Sequence, residues 1–198
     1  MSLSEIKIIT LGETSVGKSS FIIKYVHGNF SSNYMSTLGL DYRQKKIKLE
    51  NGKEINLRLF DTAGQERYKS ISVNLIKKAN GILLIYDITN KNSFNSIGKW
   101  MESIEEVSCE NTKVILVGNK IDLEGQRQVT KEEGEIRAKE YNIPFYETSC
   151  KDGININEVF SRITKEILNK NENKNIDNNR KGEILNNYNN KNKKSICC

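Results

Sequence analysis

The segment Gly12-Glu13-Thr14-Ser15-Val16-Gly17-Lys18-Ser19 stands near the start of the chain and indicates how the rest of it is built. It matches the pattern G-x-x-x-x-G-K-[ST], in which main-chain N–H groups surround phosphate oxygens. Ile6–Leu11 before it is apolar enough for a buried strand, and Ser20–Val26 after it favours a helix, whose N-terminus attracts anions. We therefore predict a phosphate-binding loop between a strand and a helix.

The residue types in this loop suit a nucleotide bound together with a metal ion. We expect the Lys18 ammonium to reach the β- and γ-phosphates and to assist catalysis, and the Ser19 hydroxyl to bind Mg²⁺. The predicted nucleotide contacts in this region are Ser15, Val16, Gly17, Lys18, Ser19 and Ser20. The pattern by itself does not identify the base.

Apolar runs and helical patterns alternate along the rest of the chain. The runs Gly81–Tyr86, Lys113–Val117 and Pro144–Tyr146 are typical of central strands covered on both faces. Helical patterns occur at Ser93–Val107, Lys131–Tyr141 and Ile156–Leu168. This alternation predicts an α/β fold with a mainly parallel sheet, helices on both faces and ligands at the carboxyl ends of the strands.

Two alternating segments, Tyr42–Leu49 and Ile55–Phe60, flank the dipeptide Asn51-Gly52, which is a strong hairpin signal. The hairpin adds one antiparallel edge strand, which gives a six-stranded sheet.

The segment Asn119-Lys120-Ile121-Asp122 follows a buried strand and resembles the N-K-x-D motif of GTPases. The Asp122 carboxylate can accept hydrogen bonds from N1–H and the 2-amino group of guanine. Adenine has neither donor, and a site built on hydrogen bonding rejects such an analogue by roughly 10⁴. We expect Asn119 to tether the neighbouring loops and to contact the edge of the base, and the Lys120 stem to lie over the purine ring.

Asp61-Thr62-Ala63-Gly64-Gln65-Glu66-Arg67-Tyr68 resembles the D-T-A-G-Q-E-R motif of Ras-like GTPases, and of Rab proteins in particular. The resemblance implies the Ras-like P-loop fold, with GTP or GDP and Mg²⁺ as ligands. It implies that Asp61 holds Mg²⁺ and that Gly64 directs its N–H to the γ-phosphate. Gln65 would orient the attacking water. Gln65, Gly64 and Lys18 are thus the expected catalytic groups.

The same resemblance implies further nucleotide contacts. Thr37, 18 residues after Ser19, stands where the family has its second Mg²⁺-binding side chain. Phe30 matches the aromatic residue that packs against guanine, and Tyr34 is a further predicted contact. Thr148-Ser149-Cys150-Lys151 resembles the S-A-K loop, with Cys150 in place of alanine. Because that contact with guanine uses a backbone N–H, we expect Ser149, Cys150 and Lys151 to bind the base.

Thr37-Leu38-Gly39-Leu40-Asp41-Tyr42 resembles the Rab segment I-G-V-D-F. Phe60 replaces the usual tryptophan, and Leu75–Ala79 replaces Y-Y-R-G-A. We interpret the chain as a divergent, monomeric Rab that acts in vesicle trafficking. The resemblance implies an exchange factor, a GTPase-activating protein, a GDP-dissociation inhibitor and effectors, which would bind residues 30–45 and 61–79.

The C-terminal part differs in composition from the rest. We expect a GTPase domain over residues 1–169 and a disordered basic tail over 170–198, because the tail lacks the apolar residues that a core needs. From Asn169 on there are seven basic and three acidic residues, so the tail carries four of the six net positive charges. Charge of this kind suits an anionic membrane, and nothing in the folded part indicates nucleic-acid binding.

Cys197-Cys198 resembles the double-cysteine end of Rab proteins, which receives two geranylgeranyl groups. The sequence shows neither a secretion signal nor a membrane-spanning run. We therefore expect the protein in the cytosol and on the cytoplasmic face of intracellular membranes.

Two alternatives to a hydrolysing switch remain open. A guanine-nucleotide-binding module with little hydrolysis, controlled mainly by exchange, is disfavoured by Gln65 and slightly favoured by Thr14, whose methyl group would lie close to the γ-phosphate. Another phosphate-loop enzyme, such as a nucleotide kinase, is disfavoured by Asp122 and by the lack of a recognisable lid for a second substrate.

Overall fold

A computed structural model describes residues 4–29, 40–49, 51–62, 69–109 and 111–169. The strands in these ranges are β1 (Ser4–Leu11), β2 (Leu40–Lys48), β3 (Glu54–Thr62), β4 (Gly81–Asp87), β5 (Lys113–Asn119) and β6 (Phe145–Thr148). The α-helices are α1 (Lys18–His27), α2 (Lys69–Lys78), α3 (Lys91–Asn95), α4 (Ile97–Val107), α5 (Lys131–Glu140) and α6 (156–169). A 3₁₀ helix covers Ile121–Gln126.

All six strands form one sheet in the order β2-β3-β1-β4-β5-β6. β1 runs parallel to both β3 and β4, and β4, β5 and β6 continue in the same direction. β2 pairs antiparallel with β3. The predicted α/β fold with a mainly parallel six-stranded sheet and one antiparallel edge strand is therefore confirmed.

The predicted hairpin between β2 and β3 is present, and its turn runs from Leu49 to Lys53 with Gly52 near its end. The Leu49 amide donates to the Lys53 carbonyl at 2.9 Å, and the Gly52 amide donates to the Leu49 carbonyl at 2.9 Å. Gly52 has a φ of 80°, in the left-handed region that glycine enters without a steric cost. The turn therefore closes a two-stranded ribbon on the edge of the parallel sheet.

Two apolar cores cover the two faces of the sheet. On one face, α1 contributes Phe21 and α6 contributes Phe160 and Ile163, which pack against alternate side chains of the central strands. On the other face, α2, α3, α4 and α5 contribute Ile76, Phe94, Met101 and Ala138. Since successive strand side chains point to opposite faces, central strands covered on both sides need the continuous apolar runs seen in the sequence.

The single helix predicted over Ser93–Val107 is wrong in detail, because the structure has two helices there. α3 begins after Asn90, whose side chain accepts hydrogen bonds from the Asn92 and Ser93 amides. It ends at Ser96, whose hydroxyl donates to the Asn92 carbonyl at 3.1 Å. A serine bonded in this way competes with the helical hydrogen-bond pattern, and Gly98 in the next turn also has low helix propensity.

The sequence interpretation also missed α2 and left its residues as a loop. Leu75 and Ile76 are the main apolar contributions to the core from its described side chains, so the helical pattern is short. Lys77 and Lys78 lie in the last turn, where positive charge suits the helix dipole. Within the described ranges, no helix combines the length and the apolar character that crossing a bilayer requires.

Candidate functional site

The loop between β1 and α1 depends on two glycines. Gly12 has a φ of 137°, and a Cβ atom there would lie 2.1 Å from the Ile85 carbonyl oxygen. Gly17 has a φ of 101°, and a Cβ atom there would lie 2.4 Å from Nδ2 of Asn119. Both positions exclude other side chains by conformation and by contact. The loop can therefore lie directly over the carboxyl ends of β4 and β5.

Lys18, the first residue of α1, folds its side chain back into this loop. Its Nζ atom donates to the carbonyl oxygens of Gly12 at 3.0 Å and of Glu13 at 2.7 Å. Burial lowers the pKa of Lys18 to about 8, although the nearby Asp61 and Glu13 carboxylates partly oppose this shift. An ammonium ion held by neutral carbonyls in a buried place is well positioned to exchange them for an anionic oxygen.

Asp61 and Ser19 provide the oxygen atoms of the predicted metal site. Asp61 lies near the end of β3, pairs in register with Thr10 of β1, and is 5% exposed. Ser19 lies in the first turn of α1. A carboxylate and a hydroxyl are hard oxygen donors of the kind that Mg²⁺ binds, so the two residues fit this ion. Thr37, the third predicted ligand, lies outside the described residues.

Asn119 connects the phosphate loop with the end of β6. Its Nδ2 atom donates to the Val16 carbonyl at 2.9 Å, and its Oδ1 atom accepts from the Thr148 hydroxyl at 3.2 Å and from the Cys150 thiol at 3.4 Å. The residue is 1% exposed. Both ends of the amide are thus used to hold three chain segments together, as expected for a tether.

Asp122 is oriented by Ser149. The Ser149 hydroxyl donates to Oδ1 of Asp122 at 2.8 Å and itself accepts from the Asp152 amide at 3.0 Å. The turn that follows is closed by the Gly153 amide, which donates to the Ser149 carbonyl at 2.8 Å. The carboxylate that we expect to distinguish guanine is therefore fixed by a loop from the neighbouring strand.

Lys120 pairs with an acid that the sequence interpretation missed. Its Nζ atom lies 2.6 Å from Oδ2 of Asp87, whose Oδ1 accepts from the Thr89 amide and hydroxyl. Lys120 itself has a φ of 73°. The ion pair fixes the direction of the Lys120 stem, which we expected to lie over the purine. Asp87 could have been found from its position at the end of a buried strand.

Cys150 is a buried thiol, with 4% of its surface exposed. Burial raises the pKa of this thiol to about 12. At neutral pH it is therefore protonated and able to donate to Asn119. The cysteine that replaces the family's alanine thus adds a weak hydrogen bond to the tether.

The other predicted contacts are distributed as follows. Val16 is buried, Ser20 is half-buried, and Ser15 and Lys151 are exposed. Ser15 has a φ of 65°, which is uncommon for a residue with a side chain. The predicted site residues that lie outside the described residues, besides Thr37, are Phe30, Tyr34, Gly64, Gln65, Cys197 and Cys198.

Known proteins match this chain over almost the whole of its folded part. A model of the Ras family matches residues 7–169. Ras-related protein Rab-13 of Bos taurus is 42% identical over 175 residues, which are 88% of this chain and 86% of the relative. Ras-related protein Rab-3C of Bos taurus is 42% identical over 164 residues, which are 83% of this chain and 72% of the relative.

Similarity also extends to a plant protein. Ras-related protein RAB1BV of Beta vulgaris is 42% identical over 163 residues, which are 82% of this chain and 75% of the relative. The family match spans the phosphate loop, both segments predicted to recognise the base, and all of the sheet except the first residues of β1. The chain therefore belongs to the Ras family and is a small GTPase, a GTP hydrolase, of the Rab type.

Proposed function

We propose that this protein is a GTP/GDP switch that works with Mg²⁺ in membrane trafficking and recruits effectors while GTP is bound. The observation that supports this most directly is the meeting of three chain segments at the carboxyl ends of the strands. Asn119 joins the phosphate loop to the end of β6, and Ser149 joins that end to Asp122. One recess would thereby hold a phosphate chain at one end and a guanine at the other.

The base is selected by Asp122. One of its oxygens is held by Ser149, so the carboxylate has a fixed orientation before the nucleotide arrives. Guanine offers two N–H donors on its Watson–Crick edge, whereas adenine would leave the carboxylate without a partner on that side. The loss of those hydrogen bonds makes adenine nucleotides weak competitors.

The phosphate chain is bound by the loop amides and by Lys18. When the nucleotide binds, Lys18 exchanges the carbonyls of Gly12 and Glu13 for phosphate oxygens, and the bond to an anion is the stronger one. Ser19 and Asp61 would hold Mg²⁺, which neutralises charge on the phosphates. Lys18 adds a fixed positive charge where negative charge develops during hydrolysis.

In the hydrolysis step a water oxygen bonds to the γ-phosphorus, and the bond from that phosphorus to the β–γ bridging oxygen breaks. The products are GDP and inorganic phosphate, and the proton of the water ends on the phosphate. Gln65 would orient the water, and the Gly64 amide would bind a γ-phosphate oxygen. Contacts of Gly64 and Thr37 with the γ-phosphate would be lost afterwards, which changes the surface that partners bind.

Partners and the membrane would use parts of the chain away from the base. The exchange factor, the GTPase-activating protein, the GDP-dissociation inhibitor and the effectors would bind residues 30–45 and 61–79. Geranylgeranyl groups on Cys197 and Cys198, supported by the basic segment 170–198, would anchor the protein to the cytoplasmic face of intracellular membranes.

Nucleotide competition and single-turnover hydrolysis test the enzymatic part of the proposal. With Mg²⁺ present, unlabelled GDP should displace a fluorescent GDP at concentrations far below those at which ADP does. GTP bound to the isolated protein should be converted to GDP, and Gln65→Leu should bind GTP equally but convert it much more slowly. Binding without conversion in the unaltered protein would instead favour the module controlled by exchange alone.

Fractionation tests the membrane part. Protein with Cys197→Ser and Cys198→Ser should keep its affinity for GDP but lose its association with membranes in cells. Membrane association that persists in this variant would contradict anchoring through these two cysteines.

A further inference from the structure

Arg127 is the most extensively hydrogen-bonded side chain near the base-recognition segments. Its Nε and Nη2 atoms donate to the two carboxylate oxygens of Glu124 at 2.8 and 2.7 Å. Its Nη1 and Nη2 atoms donate to the two carboxylate oxygens of Glu147 at 2.6 and 3.2 Å. Nη1 also donates to the Val129 carbonyl at 2.9 Å. These contacts use all five N–H donors of the guanidinium group.

The two segments that Arg127 joins are those that recognise the base. Arg127 follows the 3₁₀ helix Ile121–Gln126, on which Asp122 lies. Glu147 lies in β6, two residues before Ser149. The short helix is thus joined to the same neighbouring segment at both ends. Asp122 bonds to Ser149 at the first end, and Arg127 bonds to Glu147 at the second.

The 3₁₀ helix is interrupted in its middle. It has six residues, and Leu123 inside it has non-helical angles of φ −101° and ψ 36°. Two of its turns are closed by the Leu123 amide bonding to Lys120 and by the Arg127 amide bonding to Glu124. The element therefore consists of two short 3₁₀ turns, whose hydrogen bonds are less well aligned than those of an α-helix. The position of Asp122 therefore depends on contacts outside the helix.

The two acids differ in how much they can contribute. The Glu147 side chain is 13% exposed and that of Arg127 is 17% exposed, whereas Glu124 is 67% exposed. Both ion pairs are bidentate, but water weakens an exposed pair, so we expect the pair with Glu147 to contribute more. Glu147 is in turn fixed by Asn155, whose Nδ2 atom donates to the Glu147 carbonyl at 2.7 Å.

We propose that Arg127 is a positioning residue for guanine recognition. Through its bidentate ion pair with Glu147 it holds the 3₁₀ helix against β6 and keeps Asp122 aligned with Ser149. It thereby determines how slowly guanine nucleotides dissociate. Arg127 itself does not touch the nucleotide. The inference rests on the proposed function, in which Asp122 pairs with N1–H and the 2-amino group of guanine.

Dissociation rates of two nucleotides test this role. GDP carries the 2-amino group and IDP lacks it, and both would contact the phosphate loop in the same way. Arg127→Lys keeps the charge but cannot form two bidentate pairs, so GDP should dissociate about tenfold faster. IDP should dissociate only about twofold faster, because it makes fewer hydrogen bonds to Asp122. The ratio of the two rates should therefore approach one.

Matched variants separate positioning from a general loss of stability. Glu147→Gln removes the less exposed acid and should reproduce the result. Glu124→Gln removes the exposed acid, and Arg162→Lys weakens an exposed Arg–Glu pair on α6, so both should change the GDP rate less than twofold. Thermal unfolding of each variant shows whether it is folded. If Arg127→Lys does not fold, Glu147→Gln provides the test instead.

Three outcomes would count against the inference, and they have different meanings. If both nucleotides dissociated faster by the same factor, Arg127 would support the fold without positioning Asp122. If neither dissociation rate changed in Arg127→Lys and Glu147→Gln, the ion pair between Arg127 and Glu147 would have no role in nucleotide binding. If the unaltered protein bound GDP no better than IDP and ADP, guanine recognition itself would fail, and this inference with it.

Discussion

The base-recognition side and the phosphate side of the recess are held together in different ways. Around Asn119 and Asp122, side chains bond to side chains from other strands, through Thr148, Ser149 and Cys150. The phosphate loop has its shape from backbone geometry instead, with glycines at positions that admit no Cβ atom. Its one buried cation, Lys18, bonds to carbonyls of the loop itself.

This difference suits the two tasks of a nucleotide switch. The base is the same in GDP and GTP, so a fixed hydrogen-bond network can recognise it in both states. The phosphate end has to respond to the presence or absence of one group, and a cation that exchanges weak partners for strong ones can do so. Rigidity and responsiveness are thus separated within one recess, and Asn119 is the side chain that links the two sides.

Removing the base-selecting acid should have the largest effect. In Asp122→Ala the preference for guanine over adenine nucleotides, expected to be roughly 10⁴, should fall steeply because N1–H and the 2-amino group of guanine lose the carboxylate that accepts from them. Competition between GDP and ADP measures it. Asp152→Ala, which removes an exposed acid from the loop that carries Ser149, is the control and should keep the preference. An unchanged preference in Asp122→Ala would place base selection elsewhere.

Changing the phosphate side should weaken binding without altering selectivity. Lys18→Met should reduce the affinity for GTP by roughly 100-fold, since a hydrogen bond from a charged group is worth about 1.5–3 kcal/mol. The guanine preference should be retained. Because burial disfavours the ammonium in the nucleotide-free protein, the unfolding free energy of this variant should not fall. A large loss of base selectivity would show that the two sides are not separable.

Gly17→Ala disturbs the contact between the phosphate loop and the Asn119 side chain. The new Cβ atom would lie 2.4 Å from Nδ2 of Asn119, at a φ of 101°, so we expect a loss of roughly 2–3 kcal/mol of stability. Gly28→Ala is the matched control, since Gly28 also has a positive φ but meets no atom within 4 Å, and it should cost about 1 kcal/mol. Urea unfolding measures both, and equal losses would mean that the contact with Asn119 is unimportant.

The smallest effect is expected from removing one of the side-chain hydrogen bonds to Asn119. Thr148→Val removes the hydroxyl that donates to Asn119 and keeps the volume, so GDP should dissociate about fivefold faster, corresponding to about 1 kcal/mol. Thr164→Val is the control, because the Thr164 hydroxyl is buried on α6 and has no hydrogen-bond partner among the described residues. Stopped-flow release of fluorescent GDP compares them, and the control should match the unaltered protein.

The sequence predicted the parts of this fold in which one local pattern dominates. Gly81–Tyr86 and Lys113–Val117 are apolar at nearly every position, and both are central strands covered on two faces. The phosphate loop was predicted because its combination of two glycines, a lysine and a serine at fixed spacing is rare outside loops that bind phosphate. The break at Ser96 was missed because it depends on one hydroxyl bonding to Asn92, which a hydrophobic pattern does not record.

Ion pairs between residues far apart in the sequence could not be predicted from local patterns. Arg127 and Glu147 are 20 positions apart. Asp87 is the last residue of β4, and Lys120 directly follows β5. Either pairing requires the register of β4, β5 and β6 to be known first. Composition offers many acids and bases as candidates, so only the folded arrangement identifies these partners.

β2 forms one outer edge of the sheet, and four of its nine residues, Arg43, Lys45, Lys46 and Lys48, are basic. An open strand edge can add a strand from another molecule and so begin aggregation, and lysine is a common protection against this. If two copies brought these edges together, their like charges would repel. If the protein is concentrated on a membrane, as proposed, this repulsion would keep crowded copies from pairing through their β2 edges and leave each copy available to its partners.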